Sequence, residues 1–360
     1  MIHMIEKIQA YLKDEQIDCA FLTSTENVTY TTGFRSDPHE RWLAVYIPAD
    51  GDAILICPGM EVEDARGAGW EGSIIGYSDT ESPLELLKAG VSGFKRVAIE
   101  KNHLTVERLE LFHQVFGECQ VHAAEHMMND MRVIKSDEEV TLLKKAAELA
   151  DFAIETACSE LEEGRTELEV LAKVEYELKK KGITEMSFST MVLTGENASS
   201  PHGTPGDTRI KKGDLVLFDL GVVYKGYCSD ITRTVAFGEI SDQQQEIYKT
   251  VLKAEMTALE MVKPGVKSSD LDLAARKVIE DAGYGDYFPH RLGHGLGLNV
   301  HEYPSITSES DIVLKKGMTF TIEPGIYLPG VAGVRIEDDV LVTENGYETL
   351  TKFPKTLQTY

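Results

Sequence analysis

The second part of this chain repeats a sequence pattern, and the repeat carries acidic residues at matching positions. Residues 211–221 correspond to residues 315–325 at a constant offset of 104, and both runs begin with Lys-Lys-Gly and end with Gly. This offset aligns Asp219 with Glu323. Because spacing, lysines and glycines agree along with the carboxylates, we interpret the pattern as an internal duplication. The second part of the chain must therefore fold as two related halves.

A second pair of carboxylates follows the first. Residues 226–230 correspond to residues 333–337 at an offset of 107, which aligns Asp230 with Glu337. An aspartate or glutamate beside apolar strand residues is costly to bury unless it is paired or bound to a metal. Taken alone, Asp219 would more simply be a strand-end residue facing water, since most carboxylates are exposed. Because Asp219 has a matching carboxylate, Glu323, in the repeat, we favour a buried site over an exposed strand end.

Helix-start and helix-stop signals recur at an interval of 101 to 105 residues. In a capping box, a Ser or Thr and an acidic residue or Gln three positions later satisfy the first backbone N–H groups of a helix. Four starts are predicted in this way, at Ser136/Glu139, Thr166/Glu169, Ser241/Gln244 and Ser269/Asp272. Glycines favour left-handed helix stops, and they predict the ends near Gly164, Gly182, Gly265 and Gly283.

The first part of the chain alternates helical and strand patterns. Ile5, Ile8 and Leu12 follow helical spacing, and β-rich runs occupy residues 19–22, 43–47, 53–57 and 97–99. We predict an α/β domain over residues 1–125, a linker over 126–135 and an internally duplicated α+β domain over 136–360. At 360 residues the chain is more naturally two domains than one.

Composition excludes several classes of partner. A formal net charge of −24 disfavours nucleic acid and anionic membrane surfaces. The five cysteines are widely spaced without a C-x-x-C pair, which is typical of reduced thiols. The chain shows neither a signal-peptide pattern at its start nor an apolar run approaching 18 residues. We expect a cytoplasmic protein with no nucleic-acid or membrane partner.

Strand periodicity predicts that the acidic residues meet. Residues 215–221 and 227–235 read as a hairpin that turns near residues 224–226, which places Asp219 and Asp230 on one face. Residues two apart in a strand share a face, so Arg335 should point to the same side as Glu337.

Three histidines lie within 12 residues, at His290, His294 and His301, in a glycine-rich segment. A single histidine is more often structural, but three beside small residues favour a site. The segment lacks the lysine of a phosphate-binding P-loop and the G-x-G-x-x-G spacing of a dinucleotide site. His294 together with the four carboxylates gives five candidate ligands for divalent metals such as Mn²⁺, Fe²⁺, Co²⁺ or Zn²⁺.

These motifs resemble those of the pita-bread metallopeptidases. The resemblance lies in Asp219, Asp230, Gly-His294-Gly, Glu323-Pro-Gly and Arg-Ile-Glu337-Asp. The family includes methionine aminopeptidase, aminopeptidase P and prolidase, and the chain looks most like the prolidases, which are Xaa-Pro dipeptidases. The resemblance is strong over residues 136–350. It is one of layout over the first 125 residues, where residues 30–34 are its clearest trace.

The resemblance implies a reaction, a cofactor and a ligand set. The reaction is hydrolysis of the Xaa-Pro bond in dipeptides by a hydroxide that bridges two divalent ions, with manganese the expected metal and Co, Zn or Fe as alternatives. Asp219 would chelate one ion, Asp230 and Glu337 would bridge both, and His294 with Glu323 would complete the other.

The same resemblance implies roles for other residues. Glu323 would also take a proton from the attacking water and pass it to the proline nitrogen. His202 and His301 would bind substrate and stabilise the oxyanion, with help from His290. Arg335 suits a bidentate grip on the substrate carboxylate.

Three alternatives stay open from the sequence. Aminopeptidase P uses the same fold and metals to remove the first residue of longer Xaa-Pro peptides. Creatinase-like hydrolases use the fold without this ligand set, and some relatives act only as binding proteins after ligand substitutions. All five ligands are kept here, which favours a peptidase.

The first domain contains one further candidate segment. Residues 34–42 crowd charges, an imidazole and an aromatic ring into a predicted loop, which is either a solvated turn or a cap over an active site. In the family the amino-terminal domain often reaches a neighbouring subunit's site. The resemblance therefore implies a homodimer.

Overall fold

The structure is a computed structural model that describes residues 2–201 and 203–360. His202, one of the predicted substrate-binding residues, lies outside the described residues. The chain forms two compact units, Met1–Met131 and Arg132–Tyr360. No helix in the described part of the chain has the length and apolar character needed to cross a bilayer.

The first unit is a mixed sheet with helices. Its helices are α1 (Ile2–Asp14), α2 (Thr25–Thr32), α3 (Val62–Gly67), α4 (Pro83–Gly90), α5 (Val106–Phe116) and α6 (Glu125–Arg132), the last residue of which begins the second unit. Its strands are β1 (Cys19–Leu22), β2 (Ala44–Pro48), β3 (Ile54–Pro58), β4 (Ser73–Tyr77), β5 (Arg96–Ile99) and β6 (Gln120–Ala123). A short 3-10 helix spans Gly59–Glu61.

The six strands lie in the order β4-β3-β2-β1-β5-β6, with β1 at the centre beside antiparallel β2 and parallel β5. All four strands predicted in this part are present, each within one residue of its expected start. Residues 34–42 contain no regular element, as predicted for a loop. Its proposed role as an active-site cap stays a prediction.

The segment that joins the two parts is helical. Residues 126–135 were predicted as a linker, but most of them belong to α6. Met127 and Met128 are 1% exposed and pack in the core of the first unit. Apolar side chains at helical spacing hold this stretch against the sheet, so the first unit reaches Met131.

The second unit contains four long helices and two main sheets. The helices are α7 (Asp137–Ser159), α8 (Glu167–Lys180), α9 (Asp242–Met261) and α10 (Ser268–Asp281). The strands are β7 (Met191–Thr194), β8 (Asp214–Leu220), β9 (Val223–Tyr224), β10 (Tyr227–Cys228), β11 (Ile231–Phe237), β12 (Gly293–Gly295), β13 (Glu302–Ile306), β14 (Thr319–Ile322), β15 (Gly325–Leu328), β16 (Ala332–Arg335), β17 (Asp338–Val342) and β18 (Tyr347–Thr349). Short 3-10 helices span Gly195–Ser199 and Gly285–Tyr287.

Three of the four predicted helix starts are confirmed as capping boxes, at Ser136, Thr166 and Ser241. The fourth is wrong in detail. Helix α10 starts at Ser268, and Lys267 at its N-cap makes no side-chain cap. The carboxylate of Asp272 instead accepts the Leu292 backbone N–H at 3.0 Å and pairs with Arg276.

The predicted helix ends are accurate only for the shorter helices. Helices α8 and α10 end two residues before Gly182 and Gly283, which both have a positive φ of 85°. The longer helices α7 and α9 end at Ser159 and Met261, several residues before the predicted glycines. Loops that lead into the next helix separate them from those glycines.

The duplication is visible in the packing. One core joins α7 and α8 to strands β8 and β11 of the first half. A second core joins α9 and α10 to strands β14 to β17 of the second half. Two helices packed on a sheet in each half confirm the duplicated α+β domain. The six-stranded sheet and helices of the first unit confirm the α/β domain.

The hairpin that carries the first acidic pair has the predicted geometry. Lys225 and Gly226 both have positive φ, of 49° and 88°, as a tight turn between β9 and β10 requires. In the ladder of β8 and β11, Asp219 lies opposite Thr232, so Asp230 is on the same face two residues away.

Strand β11 also connects the two halves of the repeat. The Glu337 backbone N–H donates to the carbonyl of Thr232 at 3.1 Å. The Thr234 hydroxyl donates to the carbonyl of Arg335 at 3.0 Å. The acidic residues of both halves are therefore brought to one place by the backbone.

Gly221 tests how closely this backbone must pack. A Cβ at this position would lie 1.9 Å from the Ser229 carbonyl oxygen. We expect Gly221→Ala to destabilise the protein by about 1–3 kcal/mol, because the strands must separate. Gly346→Ala is the matched control, since nothing lies within 4 Å of its Cβ. Urea unfolding followed by circular dichroism measures both, and equal unfolding midpoints would contradict this close approach.

Candidate metal centre and active site

A cavity of about 400 Å³ in the second unit collects the predicted site residues. All four carboxylates and His294 line it, together with His290, His301 and Arg335. Phe188, Met191, Pro201 and Val300 add apolar surface. The volume lies near the lower end of the range for small-molecule sites, so the cavity suits a small ligand.

His294 lies close to three of the four candidate carboxylate ligands. Atoms of Asp230, His294 and Glu337 that are able to bind a metal all lie within 4.8 Å of one another. The Nε2 atom of His294 is 3.6 Å from Oδ2 of Asp230 and 3.3 Å from Oε1 of Glu323. The spacing is that of side chains facing a common point.

Unpartnered oxygens mark the position where a cation fits. Within the described residues, Oδ1 of Asp219, Oδ1 of Asp230 and Oε1 of Glu337 are buried and accept no hydrogen bond. A buried carboxylate oxygen without a partner carries a desolvation penalty. Divalent ions favour oxygen and imidazole ligands of this kind, so the residues present fit a metal.

Burial and mutual repulsion act on the carboxylates. Burial, and next the charge of Glu337, raise the pKa of Asp230 well above its ordinary value. Burial raises the pKa of Glu337 as well, followed by the charges of Glu323 and Asp219. Burial also raises the pKa of Glu323, to about 7, although the charge of Arg335 opposes the shift. Without a cation, the cluster therefore retains protons.

His294 is held neutral. Burial lowers its pKa to about 3, and the charge of His301 acts in the same direction. The two rings meet edge to face, with centroids 4.2 Å apart. A neutral imidazole is the form that binds metal, so His294 is ready to act as a ligand at neutral pH.

Each candidate bridging ligand is held by a residue from the other half of the repeat. The Thr232 hydroxyl donates to Oε2 of Glu337 at 2.6 Å. Reciprocally, the Asp230 backbone N–H donates to Oδ2 of Asp339 at 3.1 Å. Thr232 and Asp339 each follow a ligand by two residues, so they are themselves counterparts in the repeat.

Arg335 points into the site, as predicted, but its guanidinium is already engaged. Nη2 bonds to Asp219, Nη1 donates to the Tyr327 hydroxyl at 2.6 Å, and Nε donates to Thr232 at 3.0 Å. The residue is only 4% exposed. Its geometry is that of an arginine that orients Asp219.

Sequence reasoning did not single out Thr232, Tyr327 or Asp339. Tyr327 links Arg335 to His290, whose Nε2 lies 2.9 Å from the phenol oxygen. Thr232 and Asp339 contact the ligands through hydrogen bonds that cross between the two halves of the repeat. Their offset of 107 in the repeat was a signal that sequence reasoning left unused.

The glycine-rich segment is anchored beside the cavity. Glu302 forms ion pairs with Arg132 and Lys135 and accepts the Asn299 backbone N–H at 2.9 Å. Burial alone would raise the pKa of Glu302, but the charges of Lys135 and Arg132 outweigh it and hold the pKa at about 2. This permanent charge fixes the backbone next to His301.

Two family models match the chain. Metallopeptidase family M24 matches residues 141–344, and the Creatinase/Prolidase N-terminal domain matches residues 4–134. A protein of Bacillus subtilis (strain 168) named "Putative dipeptidase YkvY" is 52% identical over 360 residues, which is 99% of each chain.

Solved structures show the same fold. The prolidase from Pyrococcus horikoshii OT3 is 38% identical with a TM-score of 0.93, over 98% of this chain and 99% of that one. The Xaa-Pro dipeptidase from Bacillus anthracis is 35% identical with a TM-score of 0.93, over 100% and 99% of the two chains. With its buried carboxylates and histidine in the matched region, this chain belongs to metallopeptidase family M24, whose members use divalent metal ions.

Proposed function

We propose that this protein is an Xaa-Pro dipeptidase that works with two divalent metal ions, preferably Mn²⁺. The observation that carries the proposal is the set of unpartnered, buried carboxylate oxygens around His294, in a cavity of dipeptide size. The similarity to proteins named prolidase and Xaa-Pro dipeptidase supports the substrate.

In this proposal Asp219 would hold one ion, Asp230 and Glu337 would be shared by both, and His294 with Glu323 would hold the other. Divalent ions supply Lewis-acid activation of water and of the scissile carbonyl. Support comes from the group formed by Asp230, His294 and Glu337, and from their unpartnered oxygens. Because only one of the two sites would include the imidazole, the two sites would differ chemically.

Glu323 is the proposed proton carrier. It lines the cavity beside the candidate metal ligand His294, with its Oε1 3.3 Å from Nε2 of that residue, so it is within reach of a water molecule in the site. Its Oε1 accepts a hydrogen bond from the Thr321 hydroxyl at 3.3 Å, which orients the group. Glu323 would take a proton from the attacking water and pass it to the proline nitrogen, which has no hydrogen of its own in the peptide bond and leaves as an amine.

In this proposal the histidines around the cavity bind the substrate and stabilise the oxyanion. His290 and His301 both line the cavity, and His202 has this role from the motif alone. His290 is oriented by Tyr327 and by the Arg291 carbonyl, 2.8 Å from its Nδ1.

The alternative is removal of the first residue from longer Xaa-Pro peptides, as in aminopeptidase P. The small cavity and the names of the similar proteins favour dipeptides. A non-catalytic binding protein of the same fold ranks lower, because no candidate ligand is substituted. We further propose a homodimer, from the resemblance, and a cytoplasmic location, which the five free cysteines support.

Activity decides between the two peptidase reactions. Protein stripped with a chelator and reloaded with Mn²⁺ should cleave Ala-Pro faster than Ala-Pro-Ala, and it should leave Ala-Ala intact. Release of free amino acids measures all three rates. Absence of cleavage with Mn²⁺ or Co²⁺ on either proline peptide would falsify the proposed function, and preference for Ala-Pro-Ala would favour the aminopeptidase reaction.

Metal content tests the ligand set. Asp230→Asn should weaken the binding of both ions, because an amide lacks the charge of the bridging carboxylate. We expect fewer than two metals per chain by elemental analysis after desalting, with near-native circular dichroism. Asp281→Asn, at an exposed ion pair on α10, is the control and should keep two. Unchanged metal content in Asp230→Asn would rule out the assigned ligand.

Stability against pH gives an independent test. In the metal-free protein the raised pKa of Glu323 favours its protonated form, so its contribution to stability falls as pH rises from about 4.5 towards about 7. Metal binding requires the deprotonated carboxylates, so a bound metal offsets the loss of stability that deprotonation of Glu323 causes. The increase in Tm on adding Mn²⁺ should be larger at pH 8 than at pH 5.5. An equal increase at both values would contradict the carboxylate ligands.

A further inference from the structure

A dipeptide brings its own charge into the cavity. The carboxylate of the second residue lies one residue from the scissile bond, within about 3.3–3.6 Å of chain length. Burying this carboxylate without a cationic partner is unfavourable. The catalytic cavity is itself rich in carboxylates, so the substrate anion needs a dedicated positive group.

Two arginines line the cavity, Arg291 and Arg335. All three nitrogen groups of the Arg335 side chain already donate to acceptors, and the residue is 4% exposed. Asp219 neutralises its charge. To bind a substrate carboxylate, Arg335 would have to give up one of these contacts. They are made to Asp219, which is itself a candidate ligand, to Thr232, which holds Glu337, and to Tyr327, which contacts His290.

Arg291 is placed differently. It is half-buried, and among the described residues its guanidinium makes one hydrogen bond, from Nη1 to the Ser305 hydroxyl at 3.2 Å. That contact leaves Nε and Nη2 to bind a second acceptor. No described carboxylate lies within ion-pair distance of its nitrogens.

The backbone puts Arg291 beside the reacting groups. The Glu323 backbone N–H donates to the carbonyl of Leu292 at 2.8 Å, so Arg291 is one residue away from that contact. Ser305 lies opposite His294 in the ladder of β12 and β13. Arg291 and Ser305 therefore place a positive charge and a hydroxyl group next to Glu323 and His294.

We propose that Arg291, braced by Ser305, binds the C-terminal carboxylate of the substrate and so restricts hydrolysis to dipeptides. The inference rests on the proposed dipeptidase function and names the residue that sets its substrate length. A longer peptide would present a neutral amide to Arg291, and its carboxylate would lie one residue farther along. Arg335 keeps the separate task of orienting Asp219.

The kinetic test compares Ala-Pro with Ala-Pro-amide on Mn²⁺-loaded protein. Arg291→Ala should lower kcat/KM for Ala-Pro by roughly ten- to a hundredfold, mainly through KM, as expected for loss of a charged hydrogen bond. The amide, which has no carboxylate, should lose far less. Arg291→Lys should recover part of the preference, because it keeps the charge without the planar fork. Arg209→Ala, an exposed arginine outside the cavity, is the matched control.

Binding of product gives a readout that does not need turnover. Calorimetric titration of the metal-loaded protein should show L-proline binding more tightly than L-prolinamide, and Arg291→Ala should abolish that difference. Equal losses for Ala-Pro and its amide, or an unchanged preference for L-proline in the variant, would overturn the role of Arg291. Wild-type protein that shows the proline preference but cleaves no Xaa-Pro dipeptide would instead sink the proposed function and leave the anion site standing.

Discussion

Four carboxylates share one buried cavity, and their mutual repulsion sets the requirements that the rest of the catalytic unit meets. Burial and neighbouring charges raise the pKa of Asp230, Glu323 and Glu337. Arg335 offsets part of the charge through Asp219. Cations are the remaining way to neutralise the site while keeping the carboxylates ionised, so a buried acidic cluster and divalent metal use belong to one physical arrangement.

The duplication explains how a single chain assembles such a cluster. Each half contributes one acidic residue at the end of a strand and a second one across the hairpin. Reciprocal hydrogen bonds from Thr232 to Glu337 and from Asp230 to Asp339 then join the halves. His294 has no counterpart among the ligands of the first half, so the symmetry is broken at the imidazole. The proposed ions therefore have unequal surroundings.

Much of this could be predicted from the sequence because the signals are local. Capping boxes depend on residues three apart, and the shared face of Asp219 and Asp230 follows from strand period and a short turn. The helix start at Ser269 failed because Asp272 bonds to the distant Leu292 backbone instead. Engagement of Arg335 by Tyr327, and the placement of Arg291 beside Ser305, depend on tertiary contacts that one-dimensional spacing does not encode.

In the proposed function, five residues from two duplicated halves hold two inequivalent metal ions. Anomalous diffraction from crystals of Co²⁺-loaded protein tests it most directly. Two peaks should appear in the cavity, with Asp230 and Glu337 contacting both, Asp219 contacting one, and His294 with Glu323 contacting the other. A single peak, or cobalt bound away from these five side chains, would contradict it.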